Sequence, residues 1–189
     1  MGSSRQNRWL VDVGTIVPFL IVATKLLVLL YASRNYGYFI DELYYIACSD
    51  HLDWGYVDQP PLVALITKIA RLLFGDSLQG IRFFSALAGA AKVLLTGIIA
   101  RELGGNRFAQ ILAALAVLVA PGFLAIDNLL SMNSFEALIW TACAYVLIRI
   151  INTANQKLWI WFGLLAGIGL ENKYSMRGAS FTQREPSVW

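Results

Sequence analysis

Four acidic positions carry the chemistry open to this sequence. Asp41 and Glu42 stand side by side, Asp58 precedes the paired Pro60-Pro61, and Asp127 lies in the stretch FLAIDNLLSMNSFE. A sugar or serine hydroxyl is a poor nucleophile. A carboxylate that accepts its proton in the transition state contributes roughly 10²–10⁴-fold. The same pair also has a structural use, because acids at a helix start are favoured by the helix dipole by about 0.3–1 kcal/mol. Asp58-Gln59-Pro60-Pro61 reads as a turn with a proline-initiated helix behind it, one that returns a third carboxylate towards Asp41. Asp127 either marks a membrane interface or joins the chemistry. Lys25 and Lys92 fall inside apolar runs, where charges point to function; Lys25 is near enough to an end to snorkel, whereas Lys92 is more central. Arg82 could meet a phosphate or a lipid headgroup. His51 is the only histidine, and Cys48 and Cys143 have no metal-ligand spacing. The need for a divalent metal therefore stays open.

The elements that must position these groups are membrane helices. Hydrophobic residues make up 58% of the 189 positions and charged ones 14%, against roughly 45–50% and about 25% in soluble domains. The net charge of +3 comes without a basic run, so nucleic acid is not a partner. A span needs about 20 apolar residues. Residues 13–31, 81–100, 108–126, 135–151 and 159–170 are the candidates, the fifth barely long enough. Cys48 and Cys143 then lie at different depths and do not pair. Residues 32–80 form a long loop between the first two spans, and long loops are usually functional. Within it, residues 40–49 read as a short helix with Leu43, Tyr44, Ile46 and Ala47 on its apolar side. Residues 62–74 read as an amphipathic helix lying in the membrane interface, with Thr67, Lys68 and Arg71 as its polar stripe.

Arg5, Arg8, Arg101, Arg107, Arg149 and Lys157 all fall on one side of these spans. By the positive-inside rule this puts the N-terminus in the cytoplasm and the loop outside the plasma (inner) membrane. The long loop does carry Arg34, Lys68 and Arg71, so the bias is moderate.

The stretch GYFIDELYYIACSDHLDWGYVDQPPLVALI, followed by LFGDSLQGIRFFSALAGA and IIARELGGNRFAQ, resembles bacterial family 39 glycosyltransferases. These are relatives of the protein O-mannosyltransferases and of the aminoarabinose transferase that modifies lipid A. The likeness runs from about Gly14 to Met176. It implies an all-α, polytopic helical bundle, the N-terminal part of a C-type glycosyltransferase fold with interfacial helices in its first external loop. It implies an enzyme that moves a sugar, with inversion, from a polyprenyl-phosphate donor to an extracytoplasmic acceptor: a protein hydroxyl, a lipid or a glycan. Asp41 matches the presumed base and Asp127 a second acidic position. Glu42, Tyr44, Asp58, Gln59, Arg82 and Lys173 are expected at the substrates. Where some relatives carry a lysine before the paired prolines, this chain has Gln59, which sets a lysine clamp on the carrier phosphate in question.

Residues 177–189, RGASFTQREPSVW, are polar and aperiodic and interrupt what should be membrane, so a truncated or frame-shifted enzyme is expected. Such a fragment could be inactive alone. Two other readings compete: a non-catalytic truncated membrane protein, and a transporter or flippase segment with Lys25 and Lys92 as pathway charges. The latter leaves the acid-bearing external loop unexplained.

Overall fold

The computed structural model describes residues 3–34 and 37–174, with side chains in the first helix from Pro18 onward. The polar tail 177–189 and the side chains of Arg5 and Arg8 lie outside the described residues. Eight helices and no strand occur among the described residues: α1 (Ser3–Ala32), α2 (Ile40–Asp50), α3 (Leu62–Phe74), α4 (Leu78–Glu102), α5 (Arg107–Val119), α6 (Pro121–Asp127), α7 (Met132–Thr153) and α8 (Leu158–Leu170). This is an all-α membrane protein.

Among the described residues two helices, α4 and α7, are long and apolar enough to cross a bilayer, and α5 with α6 makes a third if the bent pair is one span. Pro18–Ala32 and Leu158–Leu170 are apolar but shorter. At 1.5 Å per residue, α8 reaches only about 20 Å, less than the hydrocarbon thickness of about 30 Å.

Residues 108–126, expected as one continuous span, are broken instead. Pro121 supplies no N–H to the helix ladder and pushes the residue before it out of the helical region. Ala120 accordingly sits at φ −61°, ψ 116°, and α5 and α6 meet at a 60° bend.

Local signals explain the other boundaries. The Ser77 hydroxyl accepts from the Gly80 N–H at 3.1 Å and starts α4. The Asn106 carboxamide does the same for α5 through Ala109. Gly75, at φ +69°, ends α3. Helix α4 is the hub, packing against α1, α3, α5, α6 and α7.

The loop between α1 and α4 is anchored to this bundle. Tyr45 of α2 and Val63 of α3 share one core with Ile81 and Ala88 of α4, Leu130, and Phe135 of α7. On α3 the apolar Leu65, Ile69, Leu72, Leu73 and Phe74 are exposed. The expected polar stripe does not face outward as a whole. Thr67 is buried and donates to the Val63 carbonyl at 2.7 Å. Arg71 turns onto the protein, bridging Asp50 at 2.6 Å and Asp76 at 2.5 Å.

Candidate functional site

Asp41 and Glu42 share the first turn of α2 but have opposite environments: Asp41 is exposed and Glu42 buried. Glu42 is the N3 residue of a capping box, its Oε2 accepting from the Phe39 N–H at 2.9 Å. The Arg82 guanidinium meets both carboxylate oxygens, Nε on Oε1 and Nη2 on Oε2, each at 2.7 Å. Arg82 also donates to the Ser33 and Gly37 carbonyls, at 3.1 and 2.8 Å. Oε1 of Glu42 further accepts from the Leu130 N–H at 2.8 Å. Burial alone would push the Glu42 carboxyl up. Arg82 and the two backbone donors outweigh it and hold the group below its ordinary range.

The neighbours of Asp41 converge on Tyr45. Burial, then the charges of Asp41 and Asp58, push its phenol up to about 12, against which the Met132 backbone N–H acts. The Tyr44 hydroxyl donates to Asp58 at 2.6 Å, and that bond is the largest cause raising its pKa. From Met132 the site extends to the end of α8. Asn172 donates to the Met132 carbonyl at 2.9 Å. The Lys173 ammonium donates to Asn133 Oδ1 at 2.9 Å and to Glu136 Oε2 at 3.0 Å. Asp41, Asp58, Tyr44 and Lys173 thus sit at the same end of the bundle with solvent-reachable side chains.

Other expected site residues are enclosed. Glu42 and Arg82 face each other, and Gln59 is fully buried with its Nε2 3.7 Å from the Cys48 sulfur. Asp127 is buried at the end of α6, 2.5 Å from Lys92 Nζ and 3.5 Å from Lys25 Nζ. The three side chains are 0–1% exposed. His51 caps the end of α2. Among the described residues no group of three His, Cys, Asp or Glu side chains could hold a metal ion.

Tyr45, Asn133 and Glu136 carried no mark in the sequence reading. One signal was there: Asn133 and Glu136 are three apart in the first turns of α7 and share a face. Beside the site, a cavity of about 910 Å³ opens between the loop and α8. Trp54, Leu62 and Leu65 line one side, and Gly163, Leu164 and Ile168 the other. Glu171 also lines it, and its carbonyl accepts from the Leu62 N–H at 3.0 Å.

Compared with protein-family models, residues 58–180 match the family described as dolichyl-phosphate-mannose-protein mannosyltransferase. The match covers well over half of the 189 residues. It begins at Asp58, after the Asp41-Glu42 pair, and ends within the polar tail. No curated protein and no solved structure matches the chain.

Proposed function

Because the chain belongs to the dolichyl-phosphate-mannose-protein mannosyltransferase family, whose activity is membrane glycosyl transfer, we propose that it serves transfer of a sugar from a polyprenyl-phosphate donor to an extracytoplasmic hydroxyl, with Asp41 as general base. One observation carries the reading. Asp41 is exposed on a helix start that its neighbour Glu42 pins through four hydrogen bonds, to Arg82, Phe39 and Leu130. A base must be both accessible and held still.

In the step, the acceptor oxygen attacks the anomeric carbon from the face opposite the phosphate. Its proton passes to the Asp41 carboxylate. The bond from the anomeric carbon to the phosphate oxygen breaks, and the polyprenyl phosphate leaves with the electron pair, so configuration inverts. Negative charge on the leaving phosphate needs a donor. Lys173 has three N–H bonds, two of which go to Asn133 and Glu136; the third is available to a phosphate oxygen. The apolar cavity between the loop and α8 suits an isoprenoid chain entering from the bilayer. Tyr44 and Asp58 flank the acceptor side. Glu42, Arg82 and Gln59 support the site from behind, and Asp127, buried against Lys92 and Lys25, is assigned no base role in this reading.

The test is Asp41→Asn in protein reconstituted into vesicles with a polyprenyl-phosphate sugar and a hydroxyl acceptor. Transfer should fall by roughly 10²–10⁴-fold at unchanged folded fraction, with little change in donor KM. Transfer near the parent's rate would remove Asp41 from the chemistry.

A further inference from the structure

Asp127 occupies an unfavourable place for its charge. A carboxylate at a helix C-terminus opposes the dipole, and α6 is only seven residues long. Its reason lies in what it reaches. Oδ1 bonds Lys92 of α4 at 2.5 Å, and Oδ2 faces Lys25 of α1 at 3.5 Å. Gly89, one turn before Lys92, is what admits it. A Cβ there would come within 2.6 Å of Asp127 Oδ2. One carboxylate thus ties the broken third span to two other helices.

Three residues later the Leu130 N–H donates to Glu42 Oε1 at 2.8 Å. The intervening turn is closed, the Ser134 hydroxyl donating to the Ile126 carbonyl at 2.5 Å. Leu130 is itself a member of the core that holds Tyr45. A shift of Asp127 therefore displaces the donor that helps to seat Glu42, the residue next to Asp41.

We propose that Asp127 is a positioning residue: its buried ion pairs with Lys92 and Lys25 fix the α6–α7 turn, and the Leu130–Glu42 hydrogen bond passes that fix to the start of α2 and the Asp41 carboxylate. The link itself stands on geometry; only its consequence for transfer rests on the reading of Asp41 as base.

Asp127→Asn alone cannot separate positioning from chemistry, because it leaves two buried lysines without a counter-charge, and breaking a buried pair is strongly destabilising. Replacing the whole cluster by apolar side chains of similar size is often neutral or better. The informative variant is therefore Lys25→Met/Lys92→Met/Asp127→Leu, compared with Asp127→Asn in the full chain in vesicles. Two readouts run together: transfer, and the nitroxide–nitroxide distance distribution between labels at Leu43→Cys on α2 and Leu103→Cys at the far end of α4.

The parent should give one narrow distribution. Asp127→Asn should broaden it and lower transfer, and the triple variant should restore the narrow distribution and recover transfer. An unbroadened distribution in Asp127→Asn would refute the link. A triple variant with a narrow distribution and transfer still down by roughly 10²-fold or more would make Asp127 a chemical participant. If the triple variant does not fold, Lys25→Met and Lys92→Met decide. The first keeps the Lys92–Asp127 bond and should stay narrow, the second should broaden, and the reverse order would overturn the proposal. A parent without transfer would count against the proposed function, while the distances would still test the link.

Discussion

Glu42 and Arg82, forty residues apart, meet in a buried two-point ion pair with both arms at 2.7 Å. The pair joins the start of α2 to the N-terminal part of α4, and the remaining donors and acceptors reach Ser33, Gly37, Phe39 and Leu130. Four segments therefore meet at one guanidinium and one carboxylate. Buried ion pairs are weak sources of net stability but costly to break from one side.

The first prediction follows from that asymmetry. Arg82→Met leaves the Glu42 carboxylate buried and unpaired and should destabilise the protein by about 3–5 kcal/mol. Arg82→Lys keeps the charge but loses the two-point geometry, and should cost about 1–3 kcal/mol. Thermal unfolding in detergent would rank them. Equal losses for the two variants would show that the fork, not the charge, holds the loop, and no loss in Arg82→Lys would show that charge alone suffices.

The pH dependence has a definite sign. Glu42 is held below the ordinary glutamate value of 4.5 in the folded chain, so its stabilisation is complete above that value. It is lost as pH falls further, through the depressed folded value. Tyr45 acts at the other extreme. Its phenol is raised from 10.0 to about 12, so its contribution is complete below pH 10.0 and lost as pH rises towards about 12. Glu42→Gln should flatten the acid limb of a melting-temperature profile and Tyr45→Phe the alkaline limb. A steeper limb in either variant would reverse the assignment.

Gly89 gives a steric prediction. Gly89→Ala puts a Cβ 2.6 Å from Asp127 Oδ2 and 3.0 Å from its Cβ, and Lys92 holds that short side chain in place. Overpacking of this kind costs about 1–3 kcal/mol. Gly97→Ala, on the same helix, whose nearest neighbour would be the Gln110 carbonyl of α5 at 3.7 Å, is the matched control and should be neutral or better, since alanine is the stronger helix former. A melting temperature lowered as much by Gly97→Ala would deny Gly89 its special fit.

The helical class was legible because long apolar runs with few charges have one common solution. The acidic pair at residues 41 and 42 was legible as a helix start, but not the division of labour within it. Which of two adjacent acids turns inward depends on Arg82 and on the Leu130 N–H, 88 residues away from Glu42, and no local pattern encodes that contact. The partners of Asp127 were illegible for the same reason: they stand 35 residues back on α4 and far back on α1. Hydropathy also smooths over Pro121, so a break with a 60° bend reads as a continuous span. Lys173 was picked out by resemblance alone; its partners Asn133 and Glu136 needed the fold to bring α7 and the end of α8 together.

The remaining prediction concerns how α3 meets the bilayer. Leu65, Ile69, Leu72 and Leu73 are exposed apolar residues on a 13-residue helix. Val63, Ala64, Thr67 and Ala70 on the other face are buried against the protein. Exposed apolar side chains at helical spacing beside a membrane bundle gain by entering the interface, where burial is worth roughly 25 cal/mol per Å². Arg71 cannot anchor that face to headgroups, because Asp50 and Asp76 hold it on the protein side; Lys68 is the cation left to do so. Nitroxides placed singly at positions 65, 69 and 72 should be quenched by oxygen from the lipid more than by a water-soluble nickel reagent, and the order should invert at Asp53 in the preceding loop. Adding a maleimide reagent from outside intact cells should label Asp53→Cys and spare Leu103→Cys, the native Cys48 and Cys143 being buried. Water exposure at all three α3 positions would detach the helix from the membrane. Labelling at residue 103 with protection at 53 would turn the whole bundle over and put Asp41 on the cytoplasmic side, where a lipid-linked donor and an extracytoplasmic acceptor could not meet it.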